Sequence, residues 1–206
     1  ETLLRGKKLK CVQNLGIDYR SVPMDAAKQL SIPVTATPLI NYQAVSEHNF
    51  GFILNYFKQL PQNRIHMSSK AYANTPWGQS ITPIRMMIDH TLGLLGMGEI
   101  ARHMARYAQA FEMPTIYWDI VRFPELEEKY NMTYVEWDEI FEQSDILSVQ
   151  LALNDQTHKI VGNREIRLMK PDSLFMNTAR GKLVDQTALT SALQERRIGG
   201  AALDVF

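Results

Sequence analysis

From His90 to the C-terminus, short apolar runs alternate with amphipathic ones, and this alternation limits the fold more than any other feature of the chain. "TLGLLG", "PTIYWD", "ILSVQLA", "SLFMNTA" and "AALDVF" read as strands. Between them "EIARHMARYAQAF", "TYVEWDEIFEQ", "GNREIRLM" and "DQTALTSALQERR" read as helices. Strands that are apolar on both faces need cover on both, so the pattern predicts a parallel sheet with helices on each side.

The first third also reads as α/β. "KLKCVQNLG" is a β-rich run ending at a glycine, "PMDAAKQLS" a short helix and "IPVTATP" an extended segment bounded by prolines. From Tyr42 to Leu60, the residues Val45, Phe50, Ile53, Leu54, Phe57 and Leu60 recur at helical intervals, giving a core-facing or dimer-facing helix that Pro61 stops. Residues 61–89 lose that period and collect Pro, Asn, Ser and Gly, which predicts a long connection and a boundary near its end. The expected division is therefore 1–88 and 89–206.

Charge and cysteine content exclude several functions. Lys+Arg and Asp+Glu both number 22, so nothing points to nucleic acid or an anionic membrane. The single cysteine, Cys11, rules out a disulfide framework and a Cys-rich zinc site, and fits a reducing, cytoplasmic setting; no metal site is expected. No apolar run reaches the length of a membrane span, and "ETLLRGKKLK" has no signal-peptide core. The chain begins with Glu and stops inside "GGAALDVF", so both ends read as cuts in a longer chain.

Within "LGLLGMGEIA", Gly96-Met97-Gly98-Glu99-Ile100-Ala101 forms a G-x-G-x-x-A motif between a strand and a helix. Gly96 permits a tight turn, Gly98 lets a pyrophosphate approach the backbone, and Ala101 lets helix and strand pack closely. The helix N-terminus offers N–H groups and partial positive charge to phosphates. Taken alone, the motif is equally a structural turn. Asp119 shifts the balance: it ends the next strand, 21 residues after Gly98, where an acid holds an adenosine ribose diol. A carboxylate there repels a ribose 2′-phosphate and favours NAD over NADP. Arg122 complicates that preference unless it is a solvated surface charge.

"SDILSVQLALNDQTHKIVG", "MKPDSLFMNTARGKLVDQTAL" and "GGAALDVF" follow one another at set spacings. This series resembles the D-isomer-specific 2-hydroxyacid dehydrogenases, and "NYQAVSEHNFGFILNYFKQLP" is similar to that family's N-x-x-A-V-A-E-H helix. The resemblance implies a Rossmann-like, doubly wound NAD-binding domain, incomplete at its C-terminus, with part of a flavodoxin-like substrate domain before it. It implies reversible hydride transfer between NAD and a small D-2-hydroxy acid, in a homodimer when full-length. Glu99 and Ile100 match positions that meet the pyrophosphate, Asp119 the ribose, and Leu151, Ala152 and Thr157 the cofactor lining. Thr178 and Ala179 match contacts near the nicotinamide, and Asp204 the acceptor for its carboxamide. Arg180 matches the substrate-binding arginine.

Chemistry supports Arg180 independently. A guanidinium can bind the carboxylate of a 2-oxo acid bidentately while polarising the ketone beside it. The ordinary alternative is an arginine capping its loop or pairing with Asp185.

The chain also departs from the family pattern. The family's general acid, a histidine held by a glutamate, comes after the "LDVF" strand, so the fragment is expected to be impaired. None of the five histidines matches that position: His48 reads as a packing residue, His103 as solvated, and His66, His90 and His158 as loop or end residues. Gln150 and Ala152 replace the family's usual histidine and proline. "NLGIDYRSVP" resembles the family's substrate loop in more than one register, with Asp18 and Arg20 shifting roles between them. In each register Gly16 and Ile17 can offer N–H groups to a substrate carboxylate. Trp77 resembles an interdomain-loop tryptophan and reads equally as a packing anchor. The competing reading is an NAD-sensing, co-repressor-like interaction protein on the same fold. A last expectation is that the "AALDVF" edge is left uncovered and prone to association.

Overall fold

Six strands build a parallel sheet in the order β5-β4-β3-β6-β7-β8. They are β3 (Leu92–Leu95), β4 (Thr115–Trp118), β5 (Met132–Tyr134), β6 (Ile146–Val149), β7 (Leu174–Asn177) and β8 (Gly200–Leu203). The protein is described by a computed structural model covering residues 8–16, 22–37, 41–69, 71–74, 76 and 85–206. Ile17, Asp18, Arg20 and Trp77 lie outside the described residues.

Side chains alternate across the sheet. Leu92, Leu94, Ile146, Leu174 and Met176 belong to one core, whereas Leu95, Leu147, Val149 and Phe175 belong to another. Helices α2 (Tyr42–Phe57), α4 (Glu99–Ala110) and α5 (Pro124–Tyr130) contribute Phe50, Ile53, Phe57, Met104, Ala105 and Leu126 to the first core. Helices α6 (Trp137–Gln143), α7 (Asn163–Leu168) and α8 (Gln186–Gln194) contribute Ile140, Phe141, Ile166 and Leu189 to the second. The expected doubly covered parallel sheet is the one observed. Its chain order, outward from β3 in both directions, is the doubly wound dinucleotide-binding order. Helices return to β4, β5 and β8 through turns with Glu112, Asn131 and Arg196 at positive φ.

Several elements differ from the sequence expectation. Residues 124–134 hold helix α5 and strand β5, so the expected helix over "TYVEWDEIFEQ" begins only at Trp137, behind a Glu136–Glu139 capping box. Pairing with β4 takes Thr133 and Tyr134 out of that helix. The expected loop after Pro61 starts instead as helix α3 (Leu60–Ser68), because proline is tolerated in the first turn once Gln59 has broken α2 at φ 51.

The chain divides into two compact units, Glu1–Gln43 and Ala44–Phe206. The break falls before residue 88 because α2 carries Phe50, Ile53 and Phe57 into the sheet's core. The first unit contains β1 (Val12–Leu15), α1 (Met24–Gln29) and β2 (Val34–Thr37), with the two strands paired in parallel.

Candidate functional site

Strand β3 pairs with β4 on one side and β6 on the other, and the strand order reverses between β3 and β6. Loops leaving the C-terminal ends of such a pair splay apart and open a crevice. The glycine motif is the loop after β3. Gly96 has φ +102, and a Cβ on it would meet the Gln150 carbonyl oxygen at 2.9 Å. This position requires glycine, both for its backbone and for the close approach of the β6 exit. Gly98 has ordinary φ, and a Cβ there would meet nothing. Its lack of a side chain keeps space open before the α4 N-terminus, where Gly98 itself supplies no side-chain cap. The first helical N–H groups, including those of Glu99 and Ile100, therefore face that space without intrahelical acceptors. The Glu99 carboxylate turns along the helix to Arg102, 3.1 Å away. The Ile100 carbonyl accepts from the Ser46 hydroxyl of α2 at 3.1 Å.

Asp119 stands at the end of β4, and its Oδ2 accepts the Met97 N–H at 2.7 Å. The structure thus brings the expected ribose carboxylate directly to the glycine loop. Ile120 and Val121 follow it, 86% and 53% exposed. Two apolar side chains in water beside that carboxylate suit the flat face of a base. In the sequence, the signal for such a platform is two branched aliphatics directly after the acid.

The β6 exit is held from within. Gln150 Nε2 donates to Ser148 Oγ at 2.9 Å and to Thr178 Oγ1 at 3.4 Å. Asn49 of α2, fully buried, donates to the same Thr178 oxygen at 3.0 Å. Gln150 thus joins a polar network that ties α2 to the exits of β6 and β7. Beyond Leu151, the Thr157 hydroxyl donates to the Ala152 carbonyl at 2.7 Å and closes the loop on itself.

Arg180 leaves the end of β7 and is exposed. Asn177, 1% exposed, fixes its backbone: Nδ2 donates to the Arg180 carbonyl at 2.9 Å, and Oδ1 accepts the Ala179 N–H at 3.0 Å. The Asn177 carbonyl also accepts the Asp204 N–H at 3.1 Å. One buried residue thus braces the expected substrate arginine and the expected carboxamide acceptor. Asp185 is engaged elsewhere, capping α8 through Thr187 and Ala188 N–H groups and meeting Lys159 at 3.3 Å. His48 is half-exposed rather than packed away, edge-on to Phe52 and 3.8 Å from Asp204. In the first unit, Gly16 closes β1 at φ +92, and Ile17 lies outside the described residues.

The arrangement thus combines open space over a helix N-terminus, a carboxylate hydrogen-bonded to the glycine loop, an exposed apolar pair and a guanidinium beyond the end of β7. Among the described residues, no cluster of His, Cys, Asp and Glu could hold a metal ion, and no helix is long and apolar enough to cross a membrane.

Residues 50–206 match the D-isomer specific 2-hydroxyacid dehydrogenase family, NAD binding domain. Over its whole length the chain is 31% identical to a glyoxylate reductase of Thermococcus litoralis, covering 63% of that protein. A D-lactate dehydrogenase from Aquifex aeolicus, solved with NAD and lactic acid, superposes with a TM-score of 0.84 at 30% identity. That match covers 97% of this chain and 59% of the other. An acyclic imino acid reductase in complex with NADPH and D-Arg superposes at 0.80 with 28% identity, covering 96% of this chain and 62% of the other. The chain thus spans about 60% of the length of such relatives.

Proposed function

This chain belongs to the D-isomer specific 2-hydroxyacid dehydrogenases, and from that premise we propose that its protein interconverts a small D-2-hydroxy acid and its 2-oxo acid. The observation that carries the proposal is the bracing of Arg180 and Asp204 by Asn177, one strand away from the β6 exit. When bound, the nicotinamide supplies or receives the hydride. The chain's own residues do the rest of the work assigned here. Gly98 and the α4 N-terminus bind the pyrophosphate, Asp119 orients the ribose, and Ile120 and Val121 shelter the base. Thr178, Ala179 and Asp204 orient the nicotinamide end. Arg180 binds the substrate carboxylate and stabilises negative charge growing on the ketone oxygen. Proton donation is assigned to none of this chain's five histidines.

NAD is the proposed cofactor because Asp119 places negative charge where a 2′-phosphate would stand. The NADPH-bound relative marks this preference as the point to measure. The proposed substrate half of the protein includes the Gly16 loop, and the proposed state is a cytoplasmic dimer.

The test is a pair of measurements on Arg180→Ala. Turnover of a 2-oxo acid should fall by roughly a hundredfold or more in the active protein, as a charge-assisted contact to the reacting group is lost. NADH affinity by calorimetry should stay within about twofold, since the guanidinium is proposed to bind substrate. Unchanged turnover would favour the co-repressor-like reading instead.

A further inference from the structure

Asp119 is one charge beside the proposed adenosine ribose; Arg122 is the other, and its placement is specific. The chain bends at Ile120 and Val121, and Arg122 comes back over β5, its guanidinium carbon 5.8 Å from the Tyr134 ring centroid. Burial raises the Tyr134 hydroxyl pKa most, Glu136 and Asp119 add to the rise, and Arg122 opposes it. Both Asp119 and Arg122 therefore act on one ring.

Arg122 is nevertheless turned away from forming a phosphate site. Its Nε and Nη2 donate to the two carboxylate oxygens of Glu127, each at 2.8 Å. This fork-on-fork pairing uses the guanidinium edge that would otherwise bind a phosphate. Glu127 is anchored in turn. The fully buried Tyr117 donates its hydroxyl to Glu127 Oε1 at 2.8 Å and accepts the Phe123 N–H at 2.8 Å. Burial pushes that hydroxyl up to about 12, so it remains a proton donor. Glu127 is 16% exposed and Arg122 62%, so the arginine is held to the wall rather than the reverse.

We propose that Glu127 sets cofactor selectivity: by holding Arg122 in a bidentate pair, it keeps positive charge from the ribose 2′ position beside Asp119 and so excludes NADPH. The inference rests on the dinucleotide reading of the glycine loop and goes beyond it, because it assigns selectivity to a residue outside the motif. An arginine three residues after the acid would, on sequence alone, argue for NADP. Its partner on α5 cancels that argument.

The test is fluorescence titration of NADH and NADPH into the chain and its variants. The unaltered chain should bind NADH and prefer it. Asp119→Ser should weaken NADH by roughly tenfold and gain little NADPH affinity while Glu127 still holds Arg122. Adding Glu127→Gln should then tighten NADPH by about tenfold without restoring NADH. Adding Arg122→Ala as well should remove that gain. Glu127→Asp, which withdraws the carboxylate by one methylene, provides the same release should the amide variant melt early. The proposal is overturned if releasing Arg122 leaves NADPH affinity at the Asp119→Ser level, or if the gain survives Arg122→Ala. A folded chain that binds neither dinucleotide overturns the glycine-loop reading, and this proposal with it.

Discussion

Gly96 and Gly98 lie two positions apart and do opposite work. Gly96 serves the fold, since an added Cβ would need positive φ and would press on the Gln150 carbonyl. Gly96→Ala should cost about 2 kcal/mol or more, read from denaturant melts. Gly98→Ala should melt as the parent does, because its Cβ meets nothing, yet should weaken NADH binding measurably as the methyl enters the open space. A variant at Gly98 that bound NADH normally would remove the pyrophosphate role. Asn177 is the third residue of this kind. Asn177→Ala leaves the Ala179 N–H and Arg180 carbonyl without their brace and should cost about 1–3 kcal/mol. It should also weaken binding of oxamate, a 2-oxo acid mimic, by more than it weakens NADH.

Among the elements, α8 depends most visibly on a titratable cap. The Ala188 N–H, the Lys159 ammonium and the Thr187 N–H hold the Asp185 carboxyl below its ordinary value. A lowered folded pKa means that the cap is fully present above the unfolded value and is lost as pH falls through the folded one. Asp185→Asn should therefore lower the melting temperature near neutrality and flatten its acid dependence, with the two proteins converging at low pH. Which elements the sequence displayed follows from their physics. β3, β4, β6, β7 and β8 are short apolar runs, and α4 has a strong apolar stripe through Ala101, Met104, Ala105 and Ala108, so all were readable. α3 buries none of its residues and so left no period to detect. α5 and β5 are seven and three residues long, too short for a periodic window, and β5 exists because β4 is there to pair with. The glycine motif and Asp119 were legible because their requirements are local. The Asn49–Thr178 bond joins residues 129 apart, and only the fold brings them together.

At the scale of the whole molecule the two units should differ in how readily they open. The first holds a two-stranded sheet, a size that is marginal by itself, whereas β3, β4, β6 and β7 each have neighbours on both sides. Hydrogen exchange should therefore be slowest at residues 92–95, 115–118, 146–149 and 174–177 and faster at 12–15 and 34–37. Equal protection across these segments would contradict that order. The sheet's parallel direction has a further effect. Every loop assigned here to a ligand leaves the C-terminal ends of strands, while the turns at Glu112, Asn131 and Arg196 all lie at the opposite rim. The proposed ligand loops thus share one rim, so a peptide tag or a fluorescent label spliced in at Glu112 or Arg196 would report on the protein from the other.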